Sequence, residues 1–303
     1  MLEAILNHNQ NPVAMNSPLP PPTDEPSPDA LQKILATVEI PPCPAVVSNA
    51  MAAAQKDEPD LAELAKIITA DGGMTATMLK LANSSLYGSA APVSNLRKAL
   101  DRLGTRLVVC VIVSSALRAS MTGIPGAWLE AFWQRSTQLA FAASLIARRQ
   151  FGVPPDNAYH YALFHDAAIP LMLQRFPDYS ELLAQCQQQS ALLYHEECRR
   201  YPCTHPVVGG LLVKNWGLPK ALVQAIRLHH DENVYTLPET TLPGEGLALI
   251  AVTHVAEHLL AELHHEPDCD VGPRLFSQAM NYLGMNEDDL DELKACVQEA
   301  LNQ

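Results

Sequence analysis

A His-Asp doublet, His165 and Asp166, stands in the apolar stretch YALFHDAAIPLML, residues 161–173. Two adjacent ionisable side chains are costly to bury there unless each finds a partner, and imidazole beside carboxylate is a donor set that divalent metals use. A metal needs about four ligands, so the others must come from distant helices. The candidates are His205, the pair His229-His230 followed by Asp231, and the group His254, Glu257 and His258.

The elements that must position these residues read as helices almost throughout. Apolar spacing of three and four recurs in Leu61-Leu64-Ala65-Ile68, in Met74-Met78-Leu81 and in Leu139-Ala143-Ile146, and no segment alternates as a strand would. Asp60-x-x-Glu63 is a capping-box variant, Ser27-Pro28 an N-cap and N1 pair, and Gly104 and Gly217 are C-terminal stops. In EGLALIAVTHVAEHLLAELHH, residues 245–265, Leu249, Val252, Val255, Ala256, Leu259, Leu260 and Leu263 share one side. His254, His258, Glu262 and His265 lie opposite, so that side is expected in solvent.

Breaks in the pattern divide the chain. Residues 1–28 form a leader; its stretch NPVAMNSPLPPPTDEPSP, dense in proline, buries too little apolar surface to offset chain entropy and is expected to be disordered. A first helical bundle is expected over 29–122. The turn around Gly123, Pro125 and Gly126 opens a second over 123–303, with a weaker break after Asp231. The fold class expected is all-α, two packed helical bundles.

Bulk chemistry narrows the function classes. Of 303 residues, 48% are hydrophobic and 17% charged, enough for a large core, and 20 Lys plus Arg against 33 Asp plus Glu give a net charge of −13. That balance disfavours nucleic acid and anionic membrane surfaces as partners. The longest apolar run, Leu107 to Val113, is short for a span, so no transmembrane helix is expected. MLEAILNHNQ lacks the features of a secretory signal, and seven scattered cysteines without a C-x-x-C suit reduced thiols; a cytoplasmic address is expected.

The order His-Asp, then His205, then His229-His230, then a carboxylate resembles the HD superfamily of metal-dependent phosphohydrolases. A finer resemblance is to the HDOD family, carried by PPCPAV, LANSSLYG, VSNLRKALDRLG, WQRSTQLAFAASLIA, YALFHDAAIPLML and HPVVGGLLVKNWGLPKALVQAIRLHHD in that order, over about residues 31–265. It implies a non-enzymatic bacterial signalling module that binds protein partners. The resemblance also implies where the chain departs from a metal cage: Arg135 stands where a metal-binding relative carries its first His, and Glu257 is the nearest match to its last Asp. The set Arg135, His165, Asp166, His205, His229, His230 and Glu257 is therefore expected to be a remnant, structural site, with Arg135 facing Asp166 and repelling a metal. No cofactor is expected. The alternative is a diverged phosphohydrolase or a nucleotide-sensing pocket. AAIP after the doublet, and the lack of G-Y-P after Asp231, disfavour a cyclic-dinucleotide phosphodiesterase.

Four further signals receive structural readings. HVAEH, 254–258, has the H-x-x-E-H spacing of an inverted zinc-protease helix but belongs to the side expected in solvent. HEECRRYPCTH, 195–205, lacks a usual zinc spacing, and Thr204-His205 fits an N-cap and first turn. Asn83 and Ser84, with Leu86 and Tyr87 as anchors, are expected to tie the turn that ends an apolar helix, a hallmark of the resemblance. Met121, Ile124 and Trp128, around the turn between the bundles, are the candidate protein interface.

Overall fold

The computed structural model describes residues 34, 36–56, 58–84, 87 and 91–301; the leader, with Ser27-Pro28, lies outside them, as does Leu86. Among the described residues every regular element is helical. The first group is α1 (Ala45–Ala54), α2 (Leu61–Thr69), α3 (Gly72–Ala82) and α4 (Leu96–Ser120). Side-chain caps start three of them: Asp60 accepts from the Glu63 N–H, Asp71 from Met74 and Asn95 from Lys98, each at 3.0 Å. Gly104 takes φ +72°, which breaks α4 after its first turns as a C-terminal glycine does, before the helix resumes. The longer part of α4 is the axis on which α1, α2 and α3 pack.

The second group is α5 (Gly126–Ala147), α6 (Pro155–Phe164), α7 (Ile169–Arg175), α8 (Tyr179–Gln189), α9 (Leu193–Arg200), α10 (His205–Asn215), α11 (Lys220–Leu228), α12 (Gly244–His264), α13 (Gly272–Leu283) and α14 (Glu287–Leu301). Its axis is α12, against which α5, α6, α11, α13 and α14 pack, while α6 also meets α4 of the first group. One contiguous hydrophobic core runs through both groups. Helices α4, which is kinked at Gly104, and α12, 25 and 21 residues, are long and apolar enough to cross a membrane by length and composition, but 50% of the α4 window and 72% of the α12 window are buried inside the bundle, as in core helices.

The central place of α12 corrects its expected two-sided pattern. His254 and Glu257 are buried along with the Leu side, His258 is half-buried, and solvent reaches Glu262 and His265 only in the last turns. A helix packed on several sides has no free polar face.

Asn83 closes α3 as its C-cap. Its Nδ2 donates to the carbonyls of Leu79 and Val93, at 3.0 and 2.8 Å, and its Oδ1 accepts from Val93 N–H at 2.7 Å, while the Ser84 hydroxyl donates to Leu81 O. Tyr87 donates to Asp156 Oδ1 at 3.0 Å and thereby fastens this turn to the second group. The expected interface at the junction fares differently. Met121 is buried, and Ile124 and Trp128 pack on the core, Trp128 stacking on Phe132 at 5.6 Å. Met121 is thereby withdrawn from the surface, whereas Ile124 and Trp128 stay partly exposed beside the turn.

Candidate metal centre

The His-Asp doublet lies in a helix break, not inside a helix as the apolar run suggested. Helix α6 ends at Phe164, His165 caps it, and short turns closed by Ala167 N–H to Phe164 O and Ile169 N–H to Asp166 O lead into α7. The break frees both side chains to face α10, α11 and α12. Close approach of α10 is permitted by Gly209, where a Cβ would stand 3.1 Å from the Ile226 side chain and 3.6 Å from His165 O.

All seven residues expected at the site come together, with Asp166 between two subsets. On one side, Asp166 Oδ2 lies 3.3 Å from His165 Nε2, which is also 3.5 Å from Glu257 Oε1. Arg135 grips that same Glu257 with two hydrogen bonds, Nη1 to Oε1 at 3.1 Å and Nη2 to Oε2 at 2.6 Å. The expected Arg135–Asp166 bond is therefore corrected: the planar guanidinium takes the carboxylate it can meet with both arms. On the other side, Asp166 Oδ1 lies 3.3 Å from His205 Nε2 and 3.5 Å from His229 Nε2. His230 Nε2 is 3.1 Å from His205 Nε2 and 3.2 Å from Asp270 Oδ1.

Two residues that sequence reasoning missed complete the centre. Asp270, in the loop before α13, adds a second carboxylate facing His230 and His165. Glu197 of α9, fully buried, accepts from both the backbone N–H and Nδ1 of His205, the latter at 2.7 Å, and from the Tyr179 hydroxyl. It thus does the capping expected of Thr204, whose hydroxyl makes no cap bond. Glu197 stands in HEECRRYPCTH, where the spacing of His and Cys is the signal and a glutamate carries none. Asp270 carries no periodic signal at all. Asp231, next to the imidazole pair, is buried and accepts from Asn233 N–H.

The imidazoles are held by their far nitrogens. Nδ1 of His165 meets Ala162 O at 2.9 Å, Nδ1 of His229 meets Ile226 O at 2.6 Å, and Nδ1 of His205 meets Glu197. A carbonyl or carboxylate at Nδ1 places a proton there and turns Nε2 inward, where its lone pair is presented when the ring is neutral. His165 Nε2, His229 Nε2, Asp166 Oδ1 and Asp270 Oδ2 are buried without a hydrogen-bond partner, which is the condition of atoms arranged for an ion. Ligand atoms of Asp166, His205, His229, His230 and Asp270 all lie within 4.8 Å of one another, and so do those of His165, Asp166, Glu257 and Asp270.

Electrostatics separate the imidazoles. Burial opposes charge on His165, yet Asp166, Asp270 and Glu257 raise its pKa well above the ordinary value. Burial also opposes charge on His205, whereas Glu197 and Asp166 push it up to about 10. His229 and His230 go the other way: burial lowers both, and the His229 neighbour helps bring His230 to about 4. Burial would raise Asp166 and Asp270, but the facing histidines hold both well below the usual carboxylate range. The donor set of three imidazoles and two carboxylates fits a divalent ion. Bound to Asp166, His205, His229, His230 and Asp270, such an ion would act as a Lewis acid or brace four helical and loop segments. The expectation of no metal rested on Arg135 standing in the first-ligand position; the guanidinium is bonded to Glu257, which is not a member of this subset.

The remaining motifs are local. His254 bridges the Tyr235 hydroxyl and His229 O, at 2.9 Å each, so HVAEH is a packing element behind His229 and no protease helix. In 195–205, His195 faces Glu232 and Cys203 is buried; among the described residues only His205 of that stretch joins a metal-like group, and it does so with residues from outside the stretch.

The family model of the HDOD domain matches residues 40–232. The chain belongs to the HDOD family. HDOD relatives of known structure share the fold at low identity. An HDOD domain protein from Geobacter sulfurreducens is 22% identical, with TM-score 0.62, 89% of this chain and 96% of that one being covered. A Shewanella amazonensis protein named provisionally a phosphohydrolase is 20% identical, with TM-score 0.65 over 90% and 94%. A Marinobacter aquaeolei protein named provisionally a signal transduction protein is 19% identical, with TM-score 0.65 over 90% and 64%. An uncharacterized protein of Treponema pallidum is 22% identical over 241 residues, 78% of this chain and 45% of the relative, so the HDOD chain spans less than half of that protein.

Proposed function

We propose that this HDOD chain is a cytoplasmic bacterial signalling module that acts through contact with protein partners and does not turn over a phosphoester. The observation that carries this reading is the Arg135–Glu257 clamp. At the two positions where the HD resemblance places the first and last ligands of a metal cage, a cation and a carboxylate bind each other, Glu257 being 1% exposed. A buried carboxylate held by a guanidinium is not available to a metal, so the cage implied by the HD resemblance lacks both its first and its last ligand. The net charge of −13 supports protein partners over nucleic acid or an anionic membrane. So does Phe151, wholly exposed between α5 and α6, as an apolar contact residue in place of Met121.

A second reading has its own observation. A cavity of about 220 Å³ reaches His230 and Asp270 and is rimmed by Arg274 and His195, which suits a small phosphoester beside an ion held by the five donors. Assay of the purified chain loaded with Mn²⁺, on p-nitrophenyl phosphate and a cyclic dinucleotide, separates the two. The signalling reading expects no turnover above buffer. Turnover that Asp166→Asn abolishes would establish the hydrolase.

A further inference from the structure

Between the two helical groups, away from the buried cluster, lies a cavity of about 450 Å³. Its walls come from α1 and α4 of the first group and from α6, α11 and α12 of the second. The floor is apolar and buried, formed by Cys110, Val113, Phe164 and Leu249, with Met51 and Leu222 on the sides. Burial pushes the Cys110 thiol well up, so it packs as a small apolar group. The mouth is polar. Arg106 and Glu245, both exposed, are joined by Asn157: Arg106 Nη1 donates to Asn157 Oδ1 at 3.1 Å, and Asn157 Nδ2 donates to Glu245 Oε1 at 2.8 Å.

A volume of this size, mostly apolar with a few convergent polar groups at one end, is that of a small-molecule site. The mouth specifies the head group. Its cation and its anion are linked through Asn157, so a carboxylate drawn to Arg106 comes near the charge of Glu245, and an ammonium drawn to Glu245 comes near that of Arg106. An uncharged group with both an acceptor and a donor satisfies the two together. We propose that this cavity binds a small amphiphile with an aliphatic body and a neutral amide head, its carbonyl accepting from Arg106 and its N–H donating to Glu245. The body lies on Val113, Phe164 and Leu249. Phe164 directly precedes His165, and α11 and α12 run on to His229, His230 and Glu257, so a filled cavity braces the helices that carry the cluster. The proposal goes beyond the signalling reading and stands without it.

Calorimetric titration of the full chain with octanamide, octanoate and octylamine tests it. Octanamide is expected to bind about tenfold more tightly than either charged analogue, the difference that one hydrogen bond to a charged group makes. Arg106→Ala and Glu245→Ala, at exposed positions, are each expected to remove that preference. Val113→Trp, which fills the floor, is expected to abolish binding; circular dichroism identifies a variant that has not folded, and the mouth variants then carry the test. Absence of binding by octanamide, equal or tighter binding of octanoate or octylamine, or a preference unchanged in both mouth variants would overturn the proposal.

Discussion

Asp166 has two oxygens and two different neighbourhoods. Around Oδ2, with His165 and Glu257, an arginine has entered and made two bonds to Glu257, so charge is cancelled by protein alone. Around Oδ1, no arginine enters; His205, His229 and His230, with Asp270, gather there, and His229 Nε2 and Asp166 Oδ1 itself are buried without a hydrogen-bond partner. The two sides share Asp166 and differ in composition: one imidazole with Glu257 and a guanidinium on the first, three imidazoles with Asp270 on the second. The contrast teaches that a guanidinium bound to a buried carboxylate closes one part of an acid-and-imidazole cluster, whereas imidazoles without such a partner leave the other part open for an ion.

The largest effect is expected from removing the shared residue. Asp166→Ala strands His165 and His205 on both sides at once, and loss of one member of a buried ionic group costs about 3–5 kcal/mol; urea unfolding checks this, and a loss under 1 kcal/mol would show that the two sides do not depend on Asp166. Next comes the clamp. Arg135→Ala leaves Glu257 buried without its partner and is expected to cost about 2 kcal/mol, discounted because the Arg135 side chain is 41% exposed. In double-mutant cycles Arg135 should couple to Glu257 more strongly than to Asp166; the reverse order would restore the pairing expected from sequence.

The open side is sharpened by its supports. Glu197→Gln keeps the shape but weakens the hold on His205 Nδ1, and an effect of about 10–100-fold on metal affinity is expected, with little change in fold by circular dichroism. Unchanged affinity would mean that Glu197 only caps α10. The smallest effect is expected at Thr204→Val. Because the hydroxyl makes no cap bond, stability should move by less than about 0.5 kcal/mol, whereas an N-cap loss of about 1 kcal/mol would return the capping role to Thr204.

Much of this contrast was legible in sequence. The all-α class followed from three-and-four spacing, and the seven residues from Arg135 to Glu257 that meet at the site were named from order and resemblance. What spacing does not encode is which carboxylate a long side chain reaches: Arg135 could be placed beside the doublet but not assigned to Glu257. Asp270 sits in a loop, where no periodicity marks a buried residue. Helix α12 misled because amphipathic reasoning assumes one buried face, and His254 and Glu257 lie on a second. Met121 misled for the opposite reason, since a turn rich in glycine and proline is taken to be at the surface, although its apolar residue packs inward.

Metal content of the chain, measured by native mass spectrometry after equilibration with Mn²⁺ or Zn²⁺ and removal of free ion, tests the difference between the two sides most directly. One ion per chain, lost in Asp166→Ala and retained in Arg135→Ala, is the result expected if the guanidinium closes one side and the three imidazoles hold the other. Two ions would show that the clamp does not close its side, and none would show that the convergent lone pairs are satisfied by protons alone.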